Sequence, residues 1–429
     1  MHVAEIAWLG IDELQTEIRR GTLSSVDVAD AFLARIEELD PSLQAYSAVW
    51  PERARATAAG LDAAQKTGEP LGVLHGVAVA LKDLCDVAGE PTRAGTTALG
   101  NRPAQENAEV VDRLEAAGAI ILGKVKMTEG AFVSHHETVV PPVNPWNADR
   151  WTGISSSGSG VSVAGGLCTV ALGTDTGGSI RYPSAACGLT GLKPTHGRVS
   201  LRGVYPLADS LDHIGPMTRS ASDTARVFSV LCGYDPRDPW SLAHNPRVAT
   251  SSALQPSMRG AKIGFDASYC ETGVDPLISQ ALRNVLDTLH ELGAEIVEFD
   301  LPPIADALAA WGSLAASEIA TSHAETYAKK KAEYGVELAT SIEAGQKATG
   351  QDVAHAWKMR LAFSRRLEGC FQAGAASRPG RGCLRQGFAA LVAGAGDPRQ
   401  LAQAAGAEVE PAAARGPAKQ AAGWIQAGL

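Results

Sequence analysis

No apolar run in these 429 residues reaches the ~18 needed for a helix to cross a bilayer, so no membrane span is expected. Positive charge is in deficit: 38 Lys and Arg stand against 47 Asp and Glu, a net of −9. That leaves no clustered basic face, which disfavours nucleic acid and anionic membrane as partners. The first residues, Met1-His2-Val3-Ala4-Glu5, lack the basic start and apolar core of a secretory leader, and a cytoplasmic location is expected. Cysteine is sparse and odd in number, 7 residues without a repeated spacing, which argues for reduced thiols over a disulfide frame. Internal repeats are lacking. None of the 10 histidines sits in a nucleophile-elbow context. What remains is ordinary for a chain with a large core, 45% apolar and 20% charged. The length suits one large α/β domain or two smaller ones.

Against that background one stretch stands out, Gly173-Thr174-Asp175-Thr176-Gly177-Gly178-Ser179-Ile180-Arg181. Glycines ahead of a serine let backbone N–H groups converge, because no Cβ blocks the approach or forbids positive φ. Converging N–H groups beside a hydroxyl are the needs of acyl transfer: a nucleophile and an oxyanion hole. A Gly-Gly-Ser turn alone also fits a phosphate loop or a plain tight turn. A second stretch, Gly153-Ile154-Ser155-Ser156-Ser157-Gly158-Ser159-Gly160, has the composition of a flexible linker. Its flanks, Trp151 and the apolar run 161–172, are poor linker context. A third, Leu74 to Asp83, is a short apolar run that reads as a buried strand delivering Lys82 to its C-terminal end.

The three stretches together resemble the amidase signature family. So do Cys187-Gly188-Leu189-Thr190-Gly191-Leu192-Lys193-Pro194-Thr195-His196-Gly197-Arg198 and Asp209-Ser210-Leu211-Asp212-His213-Ile214-Gly215-Pro216, in the family's order and spacing. The resemblance runs from about residue 10 to about residue 370. It implies amide hydrolysis or transfer through a Ser–cis-Ser–Lys triad: Ser179 as nucleophile, Ser155 as bridge and Lys82 as base. It also implies an oxyanion hole from the N–H groups of Thr176, Gly177, Gly178 and Ser179, with Ser156, Asp175 and Arg181 in support. The family has glycine before the bridging serine, where this chain has Ile154, and the bond between that residue and the serine is cis in the family.

Elementary chemistry asks for the same parts. A serine hydroxyl needs a base to attack an amide near neutral pH. Lysine serves only when neutral, so its reference pKa of about 10.4 must be depressed by burial. Asp83 is next in sequence, but strand neighbours point to opposite faces. Ser155 both donates and accepts, so it can relay a proton from Ser179 to Lys82.

Other conspicuous residues have plainer readings. His135-His136-Glu137 lacks the i, i+4 spacing of a metal site and reads as a substrate-side loop. Asp175 is expected to accept backbone N–H bonds within its turn, and Arg181 to anchor the loop after Ser179. Trp146 and Trp151 read as packing residues, and Cys187 as a small buried residue. No cofactor and no metal is expected.

The alternation of helices and short apolar strands predicts an α/β protein, a single large α/β/α sandwich whose central mixed sheet is covered by helices on both faces. Ser24 or Ser25 caps a helix running to about Leu39, stopped by Asp40-Pro41. Helices are expected over Ala54–Lys66, Ala108–Ala117, Ala221–Cys232 and Asp275–Leu292. Strands are expected over Ala119–Gly123, Ile263–Asp266 and Ala294–Phe299. A polar connection spans Asp235–Pro246, and residues 304–372 are mainly helical. In the family this later portion lines the acyl pocket.

The amidase signature domain is expected over residues 1–372. From Ala373 to Leu429 the style changes: 18 Ala, 10 Gly, 5 Arg and 4 Pro, with no Thr, Asn, Tyr, Met or His. That is the expected output of a GC-rich gene read out of frame, standing where the family has further sheet strands. The function expected is an amidase acting on a small carboxamide-type substrate, with a homodimer as an oligomeric form open to it. The alternatives are an A-type subunit of an aminoacyl-tRNA transamidating complex and an inactive frameshifted amidase. Such subunits usually carry glutamine after the catalytic arginine, where this chain has Tyr182.

Overall fold

The computed structural model describes residues 3–69, 71–243 and 258–372. The Ala/Gly/Arg/Pro-rich segment 373–429 and the end of the 235–246 connection lie outside the described residues. The chain divides into two units: among the described residues, 3–243 with 318–343 form one and 258–317 with 344–372 the other.

In the first unit six strands form a mixed sheet, ordered β1-β3-β2-β4-β6-β5. They are β1 (Tyr46–Val49), β2 (Ala78–Lys82), β3 (Ile120–Val125), β4 (Val170–Thr174), β5 (Thr190–Gly191) and β6 (Ile214–Thr218). The three inner strands β3, β2 and β4 run parallel, and β1, β6 and β5 are antiparallel to their neighbours. Every residue of β2, β3, β4 and β6 is buried. Strand residues alternate between faces, so both faces of the sheet are covered. The cover is helical: Ser25–Leu43 packs on β2 and β3, Ser157–Ala164 on β4 and β2, and Ala221–Leu231 on β6. The architecture is the expected α/β sandwich.

Local chemistry sets the helix ends. Ser24 caps its helix, accepting the Asp27 N–H at 3.0 Å while the Asp27 carboxylate accepts the Ser24 N–H at 2.8 Å. The helix does not stop at Asp40-Pro41 but continues to Leu43 with Pro41 inside it. In the last turn proline removes a single bond, and Asp40 ends the helix instead by accepting the N–H of Ala45 at 2.7 Å. The next helix begins at Pro51, ahead of the expected Ala54, because proline at the first helical position forfeits no needed N–H.

β2 and β4 are parallel neighbours, paired Val79 to Val170 and Ala80 to Ala171. Lys82 and Thr174 therefore emerge side by side at their C-terminal ends, the edge where open α/β sheets build their sites.

The second unit holds a parallel pair, β7 (Lys262–Phe265) and β8 (Glu295–Glu298), with the helix Pro276–Glu291 between them in sequence. Asp275 caps that helix through the Leu277 N–H at 2.8 Å.

Candidate active site

β2 is apolar up to its last residue, and Lys82 is fully buried there. Its Nζ lies 2.6 Å from Ser155 Oγ and 2.7 Å from Thr174 Oγ1. Burial pushes the ammonium down to about 7, against the upward pull of Asp212, Cys85 and Asp175. Desolvation disfavours the charged form, so this lysine is a base available near neutrality.

Ser155 is also fully buried, and the Ile154–Ser155 peptide bond is cis, as the family resemblance implied. The Ser155 carbonyl accepts the Thr128 N–H at 3.1 Å. Ser156 ties this segment to the end of β4: its Oγ accepts the Thr174 N–H at 3.2 Å and donates to the Thr174 carbonyl at 3.3 Å.

Asp175 organises the turn that carries Ser179. Its carboxylate accepts the N–H groups of Gly178 (2.8 Å) and Ile180 (3.2 Å), and both Nε and Nη2 of Arg181 at 2.9 Å. Burial alone would raise this carboxyl, but Arg181 and those N–H groups outweigh it and hold it below its usual value. Asp175 thus accepts N–H groups of its own turn, and Arg181 is paired with that carboxylate. Ser179, half-buried, follows Gly178, whose φ of 133° a side chain would rarely adopt. The Gly178 N–H, expected among the oxyanion donors, is turned inward onto Asp175. The N–H groups of Gly177 and Ser179 have no acceptor among the described residues. The structure joins Lys82 to Ser155, whereas no hydrogen bond joins Ser155 to Ser179 among the described residues.

Two participants were not foreseen. Thr174 is the second partner of Lys82, although it sits inside the conspicuous glycine-rich stretch. Asp212 is buried and accepts the Thr176 hydroxyl through Oδ1 and the N–H groups of Leu207 (2.8 Å) and Ala208 (3.0 Å) through Oδ2. Burial raises it to about 6 against those donors. His213 follows it, with Nδ1 3.0 Å from the Asp175 carbonyl oxygen.

His135 Nε2 meets Ser157 Oγ at 2.9 Å, and His136 Nδ1 meets Thr138 Oγ1 at 2.8 Å. Cys187 is buried as expected. The reading of Trp146 and Trp151 as packing residues is corrected, since both are exposed. Trp146 is tethered by its indole N–H, which donates to the Cys187 carbonyl at 2.8 Å, and Trp151 lies against the ring of Tyr182. Among the described residues no helix is long and apolar enough to cross a membrane.

The family profile named Amidase matches residues 27–374. The chain belongs to the amidase family. This family member is 44% identical over 368 residues to AmiD of Mycobacterium tuberculosis, a protein named as an amidase, covering 85% of this chain and 76% of that protein. It is 41% identical over 320 residues to the A-type subunit of the glutamyl-tRNA(Gln) amidotransferase of Anaeromyxobacter dehalogenans, covering 74% of this chain and 65% of the other. Among solved structures it is similar to the peptide amidase of Stenotrophomonas maltophilia, with TM-score 0.73, 32% identity, and coverage of 84% of this chain and 80% of that one.

Proposed function

We propose that this amidase-family chain hydrolyses the amide bond of a small carboxamide through an acyl-enzyme on Ser179. The reading is carried by one observation: Lys82, buried and depressed to about 7, lies 2.6 Å from Ser155 Oγ. Ser179 Oγ attacks the carbonyl carbon, and its proton passes through Ser155 to Lys82 Nζ. The N–H groups of Gly177 and Ser179, with Thr176 beside them, receive the charge that develops on the carbonyl oxygen. The C–N bond then breaks, and the departing amine takes the proton from Lys82 by way of Ser155. Water attacks the acyl group by the reverse relay and frees Ser179. Asp175 and Arg181 hold the turn in place for both steps.

The 41% identity to one component of an amidotransferase supports a second reading, ammonia supply within a complex. Purified chain decides between the two: release of ammonia from simple amides without a partner supports the free-standing amidase. A serine-directed fluorophosphonate tests the nucleophile. Labelling is expected at Ser179 and absent in Ser179→Ala; undiminished labelling of that variant would overturn the assignment.

A further inference from the structure

The two segments that carry Ser155 and Ser179 also carry exposed aromatic rings, and these meet. Trp151 comes four residues before Ser155 and Tyr182 three residues after Ser179. Their ring centroids are 6.0 Å apart, tilted at 44°. Trp151 is 40% exposed and Tyr182 48%. A single exposed aromatic needs no explanation, but a pair leaves a wider apolar surface in water.

The pair is fixed by the backbone contacts that fix the candidate nucleophile. A Cβ on Gly178 would stand 2.2 Å from Tyr182 Cε2, so the ring lies against the glycine of the turn. The Tyr182 N–H donates to the Gly178 carbonyl at 2.7 Å. On the other segment a Cβ on Gly153 would stand 2.3 Å from Pro183 Cα. The irregular segment leading to Ser155 and the helix that follows Ser179 are therefore pressed together at this point. The Tyr182 ring stands beside Gly178, one residue from Ser179, and the Trp151 ring lies 6.0 Å from the Tyr182 ring.

We propose that Trp151 and Tyr182 are specificity-determining residues that receive an aromatic ring next to the scissile amide. The proposal rests on Ser179 being the attacking group. A tilted pair offers one face and one edge to a third ring, the arrangement aromatic quadrupoles favour. An aliphatic ring of similar area would gain the same burial without that term. Aryl- and benzyl-type amides are thus preferred over their cyclohexyl counterparts.

Recognition is separated from turnover by measuring binding in Ser179→Ala protein, using calorimetry with phenylacetamide and cyclohexylacetamide. Phenylacetamide is expected to bind roughly three- to ten-fold tighter, the size of an aromatic pair interaction. That preference is expected to vanish in Ser179→Ala/Tyr182→Ala, to shrink in Ser179→Ala/Trp151→Ala and to persist in Ser179→Ala/Tyr182→Phe. Tyr182→Leu replaces Tyr182→Ala if the latter does not fold. Equal binding of the two amides, no measurable binding of either, or a preference kept in both ring-deleted variants would overturn the proposal. Fluorophosphonate labelling of the protein with Ser179 intact reports on the nucleophile alone. Labelling without a phenyl preference condemns the ring pair, and a phenyl preference without labelling condemns Ser179.

Discussion

Lys82 and Asp83 are adjacent in sequence and serve different partners at the sheet edge. Lys82 Nζ meets Ser155 and Thr174, while Asp83 Oδ1 lies 3.5 Å from Lys124 Nζ and accepts the Arg93 N–H at 3.4 Å. Lys82 closes β2 and Asp83 opens the turn after it, and the two side chains meet different partners. The nearest carboxylate in sequence is thereby kept from holding Lys82 protonated, and the groups that do pull its pKa upward are Asp212, Cys85 and Asp175.

A pH profile follows. In the proposed mechanism Lys82 acts as the neutral amine, and its value near 7 predicts that activity falls as pH drops through that region. At pH 6 the neutral fraction is about a tenth, so kcat/KM should fall about ten-fold below its plateau. His135 and His213 are held near 4 by burial, with Lys126 and Lys193 respectively adding to it, so neither titrates there. His135→Gln should leave the acidic limb in place. Lys82→Ala should lower kcat by roughly 10²- to 10⁴-fold, and Lys82→Arg should not restore it, because arginine stays protonated. A Lys82→Arg enzyme with near-normal turnover would refute the base role.

The strand that delivers Lys82 was legible because a short apolar run ending in one lysine admits few other readings. The Ser/Gly run was not legible as structure. Residues Ser157–Ala164 form a helix although serine and glycine are poor helix formers, and all eight are buried. Tertiary packing overrides local preference there. β6 contains Gly215 and Pro216, residues that weaken the sequence signal of a strand, yet Pro216 pairs with Leu172 of β4 in an antiparallel ladder. Asp212 was hidden for another reason. Its partner Thr176 lies 36 positions earlier, and no local spacing distinguishes this carboxylate from the other Asp and Glu residues.

The Asp175–Arg181 pair should be required for stability as well as geometry. Asp175→Ala leaves Arg181 without this carboxylate and strips the N–H groups of Gly178 and Ile180 of their acceptor. Asp175 is buried but Arg181 is partly exposed, so the cost falls mainly on the N–H groups left unpaired, at about 1–3 kcal/mol each, which denaturant unfolding would register. The Asp175 carboxyl is held below its usual value, so its stabilising contribution is complete above the unfolded pKa of about 3.9. The contribution is lost as pH falls through the lower native value. Wild-type protein should therefore lose stability on acidification below about pH 4, and an Asp175→Ala protein should lose less over the same range. Equal acid sensitivity in the two proteins would count against this account.

Asp212 offers a test that separates charge from hydrogen bonding. Asp212→Asn can keep the whole network: the amide oxygen faces the N–H groups of Leu207 and Ala208, and the amide nitrogen donates to the Thr176 hydroxyl. What it removes is the negative charge that pulls Lys82 upward. The acidic limb of kcat/KM should therefore move to lower pH, with the fold intact. Asp212→Ala removes the same charge but leaves two buried N–H groups unpaired, at about 1–3 kcal/mol each. It should unfold at lower denaturant concentration, and its Thr176 turn loses a support for the proposed oxyanion donors, so its plateau activity should drop as well. If Asp212→Asn leaves the acidic limb where it stands in the wild type, this carboxylate does not act on Lys82. Its role would then be confined to holding the loop before β6.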